Sequence, residues 1–277
     1  MKITIWGCRG SMPSPGPDKL FFGGNTSCVQ IEHNSTCLIL DGGSGIIRLG
    51  RNLPNNIKKV NILLTHLHLD HIMGLGYFSP LYDPNCQVNI WGPSGSLESF
   101  ISKLMRYFSP PLFPVRLKEL PADIQINEIE NTTFKIDDFN IISEYICHPG
   151  PTVGYRCEID DFIVSYMPDH ELLLGSSNFP LSAEWCSGYN IAKDADLLFH
   201  DAQYDKKEYA RRIGWGHSSI NDAIVFGNLA NVKKMVLFHH DPTKSDEQLE
   251  TMFNENVQNE NLDFEVVMAK ENDIFFI

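Results

Sequence analysis

The six residues His66-Leu67-His68-Leu69-Asp70-His71 constrain this 277-residue chain more than any other segment. They follow NILLT at residues 61–65, an apolar run that reads as a buried strand. Side chains alternate along an extended chain, so His66 and His68 share one side of the strand end. Past the turn, Asp70 and His71 can face a second position nearby. Imidazole and carboxylate together suit zinc, manganese or iron. A lone histidine is usually an ordinary core or surface residue. Three histidines and an aspartate in six residues, directly behind an apolar strand, point instead to a metal centre.

The rest of the chain reads as strands joined by tight loops. Short apolar runs at 3–6, 28–32, 36–40, 61–65, 88–91, 139–147, 152–158, 162–167, 197–200, 235–239 and 264–268 are separated by Gly, Pro, Asn and Asp. Helical patterns are expected at 96–107, 218–229 and 245–258, with Ser96, Ser218 and Ser245 as opening residues. Strands in consecutive groups with helices between them suit two sheets packed face to face, helices outside. One domain over residues 1–277 is the simplest division.

Charge and cysteine content narrow the function classes. The net charge is −13, without a dense Lys/Arg run, which disfavours extended nucleic acid as a partner. Bound divalent cations would reverse the sign locally, so a small phosphate-bearing ligand stays compatible. No stretch of about 18 apolar residues suggests a membrane span, and the N-terminus lacks a signal-like apolar region. Seven cysteines, an odd number without a CxxC pair, are expected to be reduced thiols in a cytoplasmic setting.

The HxHxDH pattern at 66–71 is the hallmark of the metallo-β-lactamase superfamily, which this sequence resembles over nearly its whole length. WGCRGS at 6–11, GGNTSC at 23–28 and LDGGSG at 40–45 carry the resemblance too, and the motifs after residue 140 follow in the superfamily's order. Within it, the chain looks most like the ribonuclease Z-like and cyclic-nucleotide phosphodiesterase-like hydrolases. The resemblance implies an α/β fold: a four-layer αβ/βα sandwich of two mixed β-sheets flanked by helices. It also implies two divalent metal ions at one edge, zinc foremost, with manganese or iron as alternatives.

By matched position, His148 completes one metal site with His66 and His68, and Asp169 in VSYMPDH is the bridging carboxylate. His240 in VLFHHDP completes the second site with Asp70 and His71. His239 and His240 alternate in direction, so only one of them faces the ions; His240 is the one taken. The segment LLFHDA at 197–202 resembles a ribonuclease Z-like pattern in which a histidine and an acidic residue support proton transfer. There Asp201 would orient His200, and His200 would protonate the leaving oxygen. A buried, hydrogen-bonded His200 is the alternative. Asp70 or Asp169 would hold the nucleophile's proton, and Asp41 would support a metal-binding histidine. His217, in GWGHSS, is either a phosphate ligand or a capping and packing residue.

The expected function is metal-dependent hydrolysis of small nucleotide phosphodiesters, cyclic ones included, by a hydroxide held between two ions. A carboxylate at 169, where β-lactam-hydrolysing relatives have cysteine, counts against a lactamase. A ribonuclease Z-like RNA nuclease is the alternative. Against it stand the −13 charge and the short stretch from His148 to Asp169, which cannot hold the protruding arm of such enzymes. A thioester or lactone hydrolase is a third reading. Dimerisation is common among similar proteins, so a homodimer is an expected partner arrangement.

Overall fold

The computed structural model describes residues 1–95, 98–172, 183–257 and 262–277. The N-terminal half supplies strands β1 (Lys2–Gly7), β2 (Cys28–His33), β3 (Thr36–Leu40), β4 (Lys59–Leu63), β5 (Gln87–Pro93) and β6 (Asp123–Ile129). The C-terminal half supplies β7 (Thr132–Ile136), β8 (Phe139–Tyr145), β9 (Val153–Ile159), β10 (Phe162–Met167), β11 (Leu197–Asp201), β12 (Lys234–Phe238) and β13 (Glu265–Met268). A last strand, β14 (Ile274–Phe276), returns to pair with β1. The two sheets have orders β14-β1-β2-β3-β4-β5-β6 and β13-β12-β11-β10-β9-β8-β7. Each is mixed. Antiparallel hairpins pass into parallel strands at β3–β4 in the first sheet and at β10–β11 in the second.

Alternation along each strand builds three apolar layers. Leu38 and Leu40 of β3 meet Val164 and Tyr166 of β10 between the sheets. Cys37 and Ile39 face the other way, toward helices α1 (Gly45–Asn52) and, after the four-residue turn α2 (Leu69–Ile72), α3 (Phe100–Tyr107). In the second half come the short helices α4 (Tyr189–Ala192) and α5 (Lys206–Tyr209), then α6 (Ile220–Leu229) and α7 (Asp246–Val257). Met235 and Leu237 of β12 pack outward against this layer, whereas Val236 and Phe238 pack inward. The architecture is therefore helices, sheet, sheet, helices. Strands covered on both faces read as continuous apolar runs, which is why NILL and MVLF stand out in the sequence.

The departures from the sequence reading have local causes. Strands β6, β7 and β14 were not expected: β6 mixes acidic and amide side chains with its isoleucines, and β14 has three residues. Helix α1 is hidden behind glycines. Ser96 and Gln258, at the ends of two expected helices, lie outside the described residues. Helix α3 opens instead on Ser99, whose hydroxyl accepts from Ser102 N at 3.1 Å, and α6 opens on Ser219 rather than Ser218. No helix among the described residues is long and apolar enough to cross a membrane.

Arg9, in the WGCRGS segment, is fully buried and ties the two halves together beyond β1. Its Nε donates to Gly23 O at 2.8 Å, its Nη1 to Asp241 O and Lys244 O at 3.2 and 3.0 Å, and its Nη2 to Asp246 Oδ1 at 3.1 Å. Its backbone bridges to Thr26 and to His240. Removing one member of a buried charged network strands the rest, at a cost of about 3–5 kcal/mol. Arg9→Met should lower the unfolding free energy by that order in urea titration. Arg9→Lys should not restore it, since an ammonium lacks the planar fork. A loss below about 1 kcal/mol, the size of a surface pair, would refute the role of this clamp.

Candidate metal centre

The carboxyl ends of β3, β4, β10, β11 and β12 meet at one edge of the two sheets, the place where open α/β sheets collect ligands. Asp41, just past β3, shapes the first loop there. Its carboxylate accepts from Thr65 N at 2.8 Å and lies 2.7 Å from His71 Nδ1, which leaves His71 Nε2 turned into the cluster. The residue has φ 61°, a left-handed conformation that Asp tolerates better than most. His148 follows β8; its Nδ1 donates to Gly216 O at 2.8 Å, so its Nε2 comes within 3.1 Å of His68 Nδ1. Asp70 is fixed by Ser11 N, which donates to Oδ2 at 2.8 Å. Tyr155 of β9 donates to Leu64 O at 2.8 Å and joins the two sheets directly under the motif.

These contacts assemble two groups joined at Asp169, beside a third set of Asp201, His217 and His239. Ligand-capable atoms of His66, His68, His148 and Asp169 lie within 4.8 Å of one another, and so do those of Asp70, His71, Asp169 and His239. Asp169 belongs to both, as a bridging carboxylate must. His66 Nε2, His71 Nε2 and Asp169 Oδ1 are buried without a hydrogen-bond partner among the described residues, although Asp169 Oδ1 lies 2.9 Å from His71 Nε2. Burial works against a charge on His71, yet the carboxylates of Asp169, Asp70 and Asp41 raise it well above the ordinary histidine range. A cluster with this demand for positive charge, built from imidazole and carboxylate donors, fits divalent cations.

Two expected residues point elsewhere. His240 does not join the cluster: its Nε2 donates to Ala269 O at 2.8 Å and its ring packs edge-on against Phe22. His239 does, with Nε2 at 3.2 Å from both Asp70 Oδ2 and Asp169 Oδ1. Strict alternation from inward-facing Phe238 would turn His239 outward. Instead it takes φ 61°, which swings its ring to the site and returns His240 to a backbone pairing with the β1 loop. Gly10 makes room, for a Cβ there would overlap the His239 ring.

His200 also points away from the cluster. Phe199 faces the inter-sheet core, so His200 faces α6 and Asp201 faces the site. His200 Nδ1 donates to Asp201 O at 2.7 Å and its Nε2 lies 2.9 Å from His170 Nδ1. Burial lowers it to about 4, so it carries no proton to give at neutral pH. The partner of Asp201 is His217, with Nδ1 2.6 Å from Oδ2. Burial opposes its charge, but the Asp201 carboxylate outweighs that and raises His217 to about 9. Its ring stacks on His239 at 4.9 Å. The alternation of β11 was the signal that could have placed Asp201 in the site and His200 outside it.

The sequence profile of the beta-lactamase superfamily domain matches residues 40–240, most of the chain and all of this cluster. The chain belongs to that superfamily. Ribonuclease Z of Archaeoglobus fulgidus is 24% identical over 281 residues, covering 86% of each chain. Among solved structures, the metallo-β-lactamase fold protein YhfI from Bacillus subtilis superposes with TM-score 0.72 at 17% identity, over 99% of this chain and 98% of that one. A diphosphatase from the PhnP family gives TM-score 0.70 at 19% identity, over 100% and 97%. At such identities the structural likeness is one of fold.

Metal analysis of purified variants checks the ligand set. After zinc loading and desalting, wild type should retain two ions per chain by plasma mass spectrometry. His239→Ala should lose one ion, and His240→Gln, which keeps a donor for Ala269 O, should lose none. The reverse result would return the assignment to His240.

Proposed function

We propose that this protein is a phosphodiesterase that hydrolyses small nucleotide phosphodiesters, cyclic ones included, with two divalent cations as cofactors. The observation that carries this reading is the Asp201–His217 pair beside the His/Asp cluster. An alkoxide leaving from phosphorus needs a proton, and His217, raised to about 9, holds one at neutral pH.

Divalent cations in such a site supply Lewis acidity, which brings the pKa of water toward neutrality and stabilises charge on an attacked phosphorus. The chain's own residues do the rest. Asp201 holds Nδ1–H of His217, fixing the ring so that Nε2 faces the leaving oxygen. The backbone N–H of Ser11 positions the Asp70 carboxylate, which is placed to accept the proton of the attacking water. A cleft of about 130 Å³ opens beside His66 and His68, with Lys103 in its lining, a cation suited to a phosphate oxygen.

A nuclease acting on RNA is the second reading, favoured by relatives such as ribonuclease Z of Archaeoglobus fulgidus. Against it, the stretch between His148 and Asp169 is taken up by the tight β9–β10 hairpin, and the chain carries −13. A small substrate in a cytoplasmic setting, handled by one domain, is the more economical account.

The test is turnover of 2′,3′- and 3′,5′-cyclic nucleotides by protein loaded separately with Zn²⁺ and Mn²⁺. Wild type should hydrolyse at least one of them, and Asp70→Ala should not. His217→Ala should lower kcat by about a hundred- to ten-thousand-fold, the range for a lost general acid, while His200→Gln should cost far less. The acid form of His217 is the active one, so activity should fall on the alkaline side as that proton is lost. In Asp201→Asn that limb should move to lower pH. No turnover by two-ion protein would sink the reading.

A further inference from the structure

We propose that Trp215 and Arg212, backed by Tyr204, form a nucleobase platform at the rim of the metal centre, so that the substrate is a nucleoside phosphodiester rather than one of a plain sugar or polyol. This rests on the phosphodiesterase reading and assigns the residues that would hold the nucleoside part of its substrate.

The platform begins with a side chain exposed for a structural reason. Trp215 is 61% exposed, yet its neighbours Gly216 and His217 are buried. Gly214 and Gly216 flank it with φ 88° and 87°, left-handed conformations that glycine adopts at little cost. Trp215 N donates to Arg212 O at 3.0 Å and closes the turn. Beneath the loop lies the buried Glu171 carboxylate, which accepts from Gly214 N and Gly216 N, each at 2.9 Å, and from Tyr209 OH at 2.9 Å. The indole is thus held outward by a pinned backbone rather than left on a loose one.

The loop's register relative to the cluster is fixed as well. Gly216 O accepts from His148 Nδ1 at 2.8 Å, and a Cβ at Gly216 would overlap the His148 ring. Two residues after Trp215, His217 stands edge-on to Tyr204 at 5.9 Å. The Arg212 guanidinium lies 4.8 Å from the Tyr204 ring and 6.0 Å from the Trp215 ring, and no carboxylate is within ion-pair distance of it among the described residues. A flat exposed ring, a cation held by aromatic faces without a carboxylate partner, and an adjoining proton donor are what a base attached to a phosphodiester would meet. Bases stack on aromatic side chains whatever their identity, and a guanidinium adds attraction through its charge. An aliphatic acyl chain would call for an apolar groove instead.

Calorimetry on the zinc-loaded protein, with AMP and ribose 5-phosphate as probes, tests the platform without turnover. AMP should bind about ten- to a hundred-fold more tightly, the range that stacking of one base gives. Trp215→Ala should erase most of that preference and Trp215→Phe should keep it. In kinetics, the kcat/KM ratio of adenosine 2′,3′-cyclic phosphate to glycerol 1,2-cyclic phosphate should fall by about ten-fold in Trp215→Ala, through KM. Trp215 is exposed, so these variants should fold, which circular dichroism verifies. Equal binding of the two probes by wild type, or a preference that survives Trp215→Ala, overturns the platform. Absence of all diester turnover together with an AMP preference that Trp215→Ala removes would support the platform and sink only the reaction.

Discussion

Four aspartates lie buried where the two sheets meet, Asp41, Asp70, Asp169 and Asp201, none more than 5% exposed. An ionised carboxylate taken out of water is tolerated only with partners, and the edge of this molecule is organised around providing them. Asp41 takes Thr65 and His71, Asp201 takes His217 and the backbone of Gln203 and Ser218, and Asp70 takes Ser11 N. Asp169 sits between His71 and His239. Together they concentrate negative charge in a place that imidazoles line from every side. Proton uptake by histidines or binding of divalent cations are the two ways of meeting such a charge.

The duplicated sheet order explains why these groups converge. In each half an antiparallel hairpin passes into parallel strands, and an aspartate stands just past the strand where the change occurs, Asp41 after β3 and Asp169 after β10. Packing the two sheets through Leu38, Leu40, Val164 and Tyr166 then brings both strand ends to one edge. Arg9 and Tyr155 lock that edge from opposite sides, one through the N-terminal loop and one from beneath the motif. The site is held by elements of both halves, so its geometry depends on the inter-sheet core being well packed.

Glu171 links His217 to the His/Asp cluster. One buried carboxylate sets the path of residues 214–216, and that path delivers both the carbonyl that orients His148 and the start of the helix-entry segment carrying His217. A loop pinned in this way presents its exposed tryptophan at a fixed distance from the His/Asp cluster.

The sequence by itself determined the strand runs of the two-sided sheets, the helices outside them, and His66, His68, Asp70 and His71 as members of one cluster, because these signals are local. Apolar runs and a six-residue motif need no distant partner to be read. His148 and Asp169 were legible only by resemblance, since each stands alone in its segment. What the tertiary structure decided was direction. A single positive φ at His239 reverses the choice between His239 and His240, and the partner of Asp201 is fixed by which face of β11 meets the site, not by adjacency in sequence. Side-chain orientation past a strand end depends on what packs there, here the Cys8–Gly10 backbone and Gly10's missing Cβ, and those atoms come from more than two hundred residues away.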